Sequence, residues 1–349
     1  MRASLFIVPV SMMLASPAVL STQSRATTLT NVLLLDVPGA ASGTTTADSI
    51  NNSGEIAGSY EDLKVGFRVF TLTNGVFATV DPAGSVNGSS LVSLNNTGQV
   101  LGFSNTATPP DYGSYYLASN GSFSAFPPPG TTLPVGASFS FYNDVGTIAG
   151  QTSTSAFIAQ GGKITTIVPP DGINVSINTV NNSNALVGGY FPTVPPSPTA
   201  NQEGFLLSNG VFTPLYVPGS AFTAAVGIND KGVVVGYYNL AQVTGPDGVP
   251  FTPVLGFSYF NGVYTSYDIA GVNTTELFGI NNSGQVVGYE RDATGGGHGF
   301  VASAPGLGTS VPEPASLLLV AAGVLGLAGA SLGRPLRCSA SRHVASPRP

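Results

Sequence analysis

Short apolar runs of strand length alternate along this chain with tight clusters of Asn, Asp and Gly. In "INNSGQVVGYE", from Ile280, an apolar residue and Asn lead into Asn-x-Gly and then into an apolar run. The pattern recurs as "INNSGEIAGSY" from Ile50, "LNNTGQVLGFS" from Leu94, "YNDVGTIAGQT" from Tyr142, "VNNSNALVGGY" from Val180 and "INDKGVVVGYY" from Ile228. The shared glycines Gly58, Gly102, Gly150, Gly188, Gly236 and Gly288 are spaced by 44, 48, 38, 48 and 52 residues. A period of this size marks an array of similar units, each with a face that it cannot bury alone.

Each unit predicts four short strands. The Asn-rich segment turns tightly, and Gly54, Gly98, Gly146, Gly232 and Gly284 supply a positive φ there, with Asn184 as the one replacement. A second strand follows, and then a third carrying an aromatic, as in "GFLLS" at 204–208 and "GFSYF" at 256–260. Asn74-Gly75, Asn120-Gly121, Asn209-Gly210 and Asn261-Gly262, with Gly161-Gly162 in the third unit, predict the hairpin into a fourth strand. The sixth unit lacks that hairpin after "GFVAS" at 299–303. After an N-terminal signal segment, however, the chain begins with "TNVLLLDVPG" at 30–39, which matches a fourth strand and its exit, "GVFATVDPAG" at 75–84. An orphan first strand that completes the last unit is what a closed ring needs, because closure removes sheet edges. The expected fold is all-β: a six-bladed β-propeller over 28–303, closed by the N-terminal strand. An open β-solenoid is the alternative. The units resemble the HAF family of probable extracellular repeats, which carries the same "IN-(N/D)-x-G-x-(I/V)-V-G-Y" and "GF" features. That resemblance implies an exported repeat protein and brings no activity with it.

The ends carry a different pattern. Arg2, an apolar stretch from Leu5 to Leu14, and small residues Ser16 and Ala18 compose a secretory signal over 1–24. At the other end, 304–314 is a linker, and 315–333 holds 19 residues without a charge. At ~1.5 Å per residue such a helix reaches roughly 28 Å, close to a bilayer core. This predicts a single C-terminal transmembrane helix. Arg334, Arg337 and Arg342 follow it in a basic tail, 334–349, expected to stay cytoplasmic while the body lies outside. Just before the helix, Pro312 and Pro314 hold the chain extended around Glu313. Val311, Pro312, Glu313 and Pro314, the apolar helix and the arginines together resemble the PEP-CTERM sorting signal, also known as the ice-binding protein C-terminal domain. The resemblance implies recognition by an exosortase-type membrane protease in bacteria that make exopolysaccharide. The tail here is longer than that signal's usual basic end. A GPI signal is the rival reading, but it normally ends in its apolar run.

Composition narrows the chemistry. Hydrophobic residues make up 42% and charged residues 8%, so the chain can build a packed core. High glycine, with 45 residues, and few Glu or Lys argue against helices. From Arg25 to Ser310 acidic residues outnumber basic ones sixteen to six, which repels nucleic acid and anionic lipid. The one cysteine, Cys338, lies in the tail, so the body has no disulfide and no thiol chemistry. With one histidine in the body, His298 in the glycine-rich "TGGGHGF", no zinc cluster or Ser-His-Asp triad is expected, and no cofactor is implied. His298 reads as a loop residue, and Glu61-Asp62 and Glu290/Asp292 as solvated loop charges.

The function expected from the sequence is a non-enzymatic binding or adhesion module at the cell surface or in the extracellular matrix. It is exported, anchored by the helix before processing, and directed to an exopolysaccharide or other surface glycan. A propeller-type polysaccharide lyase or glycoside hydrolase is the alternative. Variable loops at 105–112, 191–203 and 239–255 share one predicted face, where recognition usually resides. Tyr112, Tyr190, Phe191, Tyr237 and Tyr238 flank them as candidate rings for stacking on sugars.

Overall fold

The computed structural model describes residues 26–85, 88–105, 113–153, 155–193, 202–244, 250–292 and 294–307, and among these every regular element is a strand. The signal segment, Tyr112, the sorting motif, the apolar segment 315–333 and the basic tail lie outside the described residues, as does most of the loops at 105–112 and 191–203.

The strands form a propeller-like arrangement of four-stranded antiparallel groups. Thr46–Ile50, Ile56–Asp62, Gly66–Thr73 and Val76–Thr79 pair in chain order. Three more sheets, beginning at Ser89, Ser138 and Gly172, repeat that order. Val243–Thr244 and Pro250–Phe251 form a separate two-stranded ribbon, and a nine-stranded sheet holds the other strands. In it, Phe222–Ile228, Val234–Asn239, Val254–Phe260 and Val263–Asp268 form one antiparallel group. Val272–Ile280, Gln285–Asp292, Gly297–Ser303 and Thr30–Leu35 form another, and a single parallel bridge, Val254 to Thr274, joins the two. Thr30–Leu35 is thus the outer strand of the last group, with Leu34 opposite Phe300, the pairing that the orphan strand predicted. Thr27–Thr28 first runs parallel to Val263–Asp268, so the chain bridges two groups before it crosses.

The turn chemistry follows the sequence. Asn74 and Gly75 have φ of 52° and 78°, and the other Asn-Gly pairs match them, the two positive values that a type I′ hairpin requires. The shared glycine of each second strand has a packing reason. Gly58 pairs with Phe70, Gly102 with Tyr116, Gly150 with Phe157, Gly188 with Phe205, Gly236 with Phe257 and Gly288 with Phe300. A Cβ on Gly236 would collide with the carbonyl of Ala224 and with the ring of Phe257. The aromatic lies flat where a side chain would be, and Phe70, Phe205, Phe257 and Phe300 are fully buried. Each such ring stabilises the fold by about 1.5–3 kcal/mol relative to exposure. The core is therefore divided into clusters, each filled by apolar residues from neighbouring sheets, as where Val287 joins Ile50, Tyr60 and Phe70.

Candidate functional site

The innermost strand of every group ends in the Asn-rich turn, and these turns meet one another. The first Asn of each turn is buried, between 2% and 4% exposed. Its side-chain oxygen accepts the amides two and four residues on, as Asn229 Oδ1 does from Lys231 and Val233 at 3.1 and 3.0 Å. In five of the six turns its side-chain nitrogen reaches the next turn, and that of Asn95 donates to Gln99. Asn51 donates to the carbonyl of Asn95, Asn143 to that of Asn181, Asn181 to that of Asn229, Asn229 to that of Asn281, and Asn281 back to that of Asn51. One residue thus shapes its own turn and ties it to a neighbour.

The second residue of each turn makes an unbroken ring. The backbone amide of Asn52 donates to Oδ1 of Asn96 at 2.8 Å, Asn96 to Asp144 at 2.7 Å and Asp144 to Asn182 at 3.2 Å. Asn182 donates to Asp230 at 2.9 Å, Asp230 to Asn282 at 3.1 Å and Asn282 to Asn52 at 2.8 Å. The two carboxylates are held by amides. Asp144 Oδ2 accepts from Asn96 and Asn182, and Asp230 Oδ2 from Asn52, Asn182 and Asn282.

Each inner strand carries a β-bulge three residues before its first Asn. The pairing skips Asp48, Val92, Ser140, Asn178, Val226 and Phe278. A bulge leaves its extra residue out of the ladder and re-aims its side chain. All of these residues line one cavity of about 470 Å³, together with the turn residues Asn52, Asn96, Asp144, Asn182, Asp230 and Asn282. A cavity of this size lies within the range of small-molecule sites. Its wall has two characters: Asp48, Ser140 and Asn178 are polar, whereas Val92, Val226 and Phe278 are apolar. Asp48 accepts from the Thr46 hydroxyl at 3.2 Å, and burial pushes its pKa up to about 6 against the opposing pull of the Thr46 and Ser59 hydroxyls. The Ser140 hydroxyl is buried without a hydrogen-bond partner among the described residues. The sequence carries a signal for this site: in an otherwise regular repeat, the column that reads Asp, Val, Ser, Asn, Val, Phe is irregular.

A second cluster lies where the N-terminal strand meets the last group. His298 is in the strand Gly297–Ser303 and pairs directly with Glu290, which corrects the expectation of a loop for both. His298 Nδ1 sits 2.9 Å from both oxygens of Asp36. Glu290 is 2% exposed, and its Oε2 has no partner among the described residues. The Asp36 hydrogen bond raises the pKa of His298, and burial raises that of Glu290 against the pull of His298. Glu61 and Asp62 also belong to a strand, Ile56–Asp62, rather than to a loop. Among the described residues no group of three or more His, Cys, Asp and Glu is arranged to hold a metal ion.

The candidate stacking rings separate. Tyr190 and Tyr238 are core residues at 3% and 5% exposed, with hydroxyls engaged by Glu203 and Ser266, so neither offers a ring face to a ligand. The alternation of the strand Val234–Asn239 turns Tyr238 inward. Tyr237 is half-buried between Phe222 and Phe278, with ring centroids 5.9 and 6.1 Å away, and so supports an aromatic of the cavity wall. Phe191, at 39% exposure, keeps its ring at the surface. Tyr112 lies outside the described residues, so these aromatics do not form one platform among the described residues.

A protein-family model for the PEP-CTERM protein-sorting motif matches residues 310–334. That motif implies export and sorting to the cell surface through an exosortase. No curated protein matches the chain. Among solved structures, AofleA from Arthrobotrys oligospora is 12% identical with a TM-score of 0.45, over 78% of this chain and 85% of that one. The β-propeller domain of the Trilobed protease from Pyrococcus furiosus, described as having an open velcro topology, is 9% identical with a TM-score of 0.43, over 74% and 95%. The six-bladed lectin of Aleuria aurantia, described with a fucose recognition mode, is 9% identical with a TM-score of 0.41, over 77% and 100%.

Proposed function

We propose that this chain is an exported, surface-sorted binding protein whose ligand is a glycan of the cell surface or matrix. Its body is a six-bladed propeller of HAF-type repeats, closed by its own N-terminal strand. The segment 315–333 serves as a membrane helix until an exosortase-type protease acts at Val311–Pro314, and the basic tail stays inside. Two observations support the ring: Thr30–Leu35 completes the last group, and the second residues of the turns bond in a closed circuit. The observation that carries the binding reading is the cavity, whose wall interleaves polar donors and acceptors (Asp48, Ser140, Asn178) with apolar side chains (Val92, Val226, Phe278). Sugars present both kinds of surface.

Retention of the full-length protein on the native exopolysaccharide tests this. Wild type is expected to be retained, and Phe278→Ala to weaken retention. Replacing 192–203 and shortening 239–255 tests the variable-loop face in parallel. Retention that none of these changes alters rules out both surfaces. Mass spectrometry of the surface form addresses processing: Cys338 is expected to be gone, and its presence would leave simple anchoring.

An enzymatic reading draws on one observation, the alignment of Asp36, His298 and Glu290 across adjacent strands. A carboxylate pair around an imidazole is the material of general acid–base chemistry. A lyase or hydrolase acting on matrix sugars is therefore the second reading. Release of reducing or unsaturated ends from the exopolysaccharide, lost in His298→Asn, would establish it.

A further inference from the structure

The three carboxylates that line the cavity are not equivalent. Asp144 and Asp230 are saturated by backbone and side-chain amides of the turn ring, which fixes them in a structural role. Asp48 stands apart from that ring. It sits at a bulge, and its neighbouring donors are hydroxyls, which are neutral. No lysine, arginine or histidine is among the residues that line the cavity. A carboxylate in such a place either takes up a proton or pairs with a cation that enters with a ligand. The rest of the wall says what that ligand carries besides its charge. The Ser140 hydroxyl has no partner among the described residues, Asn178 and Ser93 add neutral polar groups, and Phe278 supplies a flat apolar face. Neutral polar groups suit hydroxyls, and an aromatic suits both a sugar's C–H face and an ammonium.

We propose that the cavity is a site for a small polyhydroxylated ammonium ligand, of the amino-sugar class, with the Asp48 carboxylate as its anchor. This rests on the glycan reading and narrows it to a cationic sugar. Asp48 pairs with the ammonium, Phe278 packs on the ring, and Ser140 bonds a hydroxyl. Because Asp48 is the one carboxylate among the bulge residues, the ligand is oriented by a single charge in a cavity that is otherwise neutral above the turn ring.

Titration calorimetry of the full-length protein in detergent, near neutral pH, tests this with glucosamine hydrochloride as the probe. N-acetylglucosamine, glucose and calcium chloride are the comparisons. Glucosamine is expected to bind about tenfold or more tightly than either neutral sugar, the scale of a close charge pair removed from water. Asp48→Asn is expected to abolish that preference, so that charged and neutral sugars bind alike. Phe278→Leu is expected to weaken all three sugars. In wild type the preference is expected to fade as pH falls through about 6, where Asp48 takes up a proton; Asp144 and Asp230 are the other titratable residues of the wall. Equal binding of charged and neutral sugars, no binding of glucosamine, tighter binding of calcium at the same site, or a preference that survives in Asp48→Asn would each overturn the proposal. Any of these results with exopolysaccharide retention intact leaves the glycan reading standing and moves it to another surface. Glucosamine binding without retention on the exopolysaccharide does the reverse.

Discussion

The backbone amide of Asn282 donates to Oδ1 of Asn52 at 2.8 Å, and this bond joins residues 230 positions apart. The same contact links every successive pair of turns, so the last turn meets the first as one neighbour among equals. The first and last parts of the chain thus meet twice, where Thr30–Leu35 pairs with Gly297–Ser303 and where the turn amides bond. The axial bonds hold the inner strands whose bulges shape the cavity, and so a turn motif contributes directly to the site.

Truncating a first Asn should be costly. Asn229 accepts two backbone amides and donates to the carbonyl of Asn281, and the bonds with Val233 and Asn281 are buried. Asn229→Ala leaves buried groups unpaired, and about 2–4 kcal/mol of stability should be lost. Urea denaturation followed by circular dichroism measures it, and a loss below about 0.5 kcal/mol would show that the ring is ornamental.

The N-terminal strand should behave as core, though it begins only a few residues after the predicted signal. Leu35 is 3% exposed and packs with Ile50, Phe70 and Val287. Leu35→Ala should cost about 2–5 kcal/mol in the same denaturation measurement. Removing 26–36 bares the edge of Gly297–Ser303, and light scattering should then detect aggregation.

The seam should respond to pH. The folded-state pKa of His298 is raised by Asp36, so its contribution is present in full below the unfolded value and is lost as pH rises through the folded one. The raised Glu290 acts in the same direction, because its protonated form also favours the folded state. Thermal melts should therefore fall as pH climbs above 6.5, the ordinary value for His298. His298→Asn should flatten that slope, and an unchanged slope would remove the pair from the account.

Asp48 should lower stability at neutral pH. Its pKa is raised from 3.8 to about 6, so folding favours the protonated form, and the penalty grows as pH rises between these values. Asp48→Asn should raise stability near neutrality by about 1–3 kcal/mol. It should have little effect at a pH below 3.8, where both states hold the proton. Chemical denaturation at the two pH values checks this, and a destabilised variant at neutral pH would sink it.

Much of the architecture was legible from local chemistry. Asn-Gly dictates a tight hairpin because both residues must take a positive φ, and Asn74-Gly75 does so wherever it is placed. The match between 30–39 and 75–84 identified the outer strand of the last group because a strand's alternation and its exit turn are written in the chain itself. The sorting motif at 310–334 is likewise read from linear order. Burial was less legible: Tyr190 and Tyr238 carry the same letter as an exposed ring, and only their inward face in the sheet makes them core.

The amino-acid order alone determined the strands, the turns, the unit that repeats and the sorting motif, since each depends on residues within a few positions of one another. The tertiary structure decided what those units make between them. A bulge depends on how a partner strand registers, so nothing local to Asp48 or Phe278 says that they face one cavity. Asp36, His298 and Glu290 become neighbours only because the first strand pairs with the last, and their shared electrostatics exist only after that pairing. Through-space contacts between residues 230 or 262 positions apart are set by packing and by no local pattern.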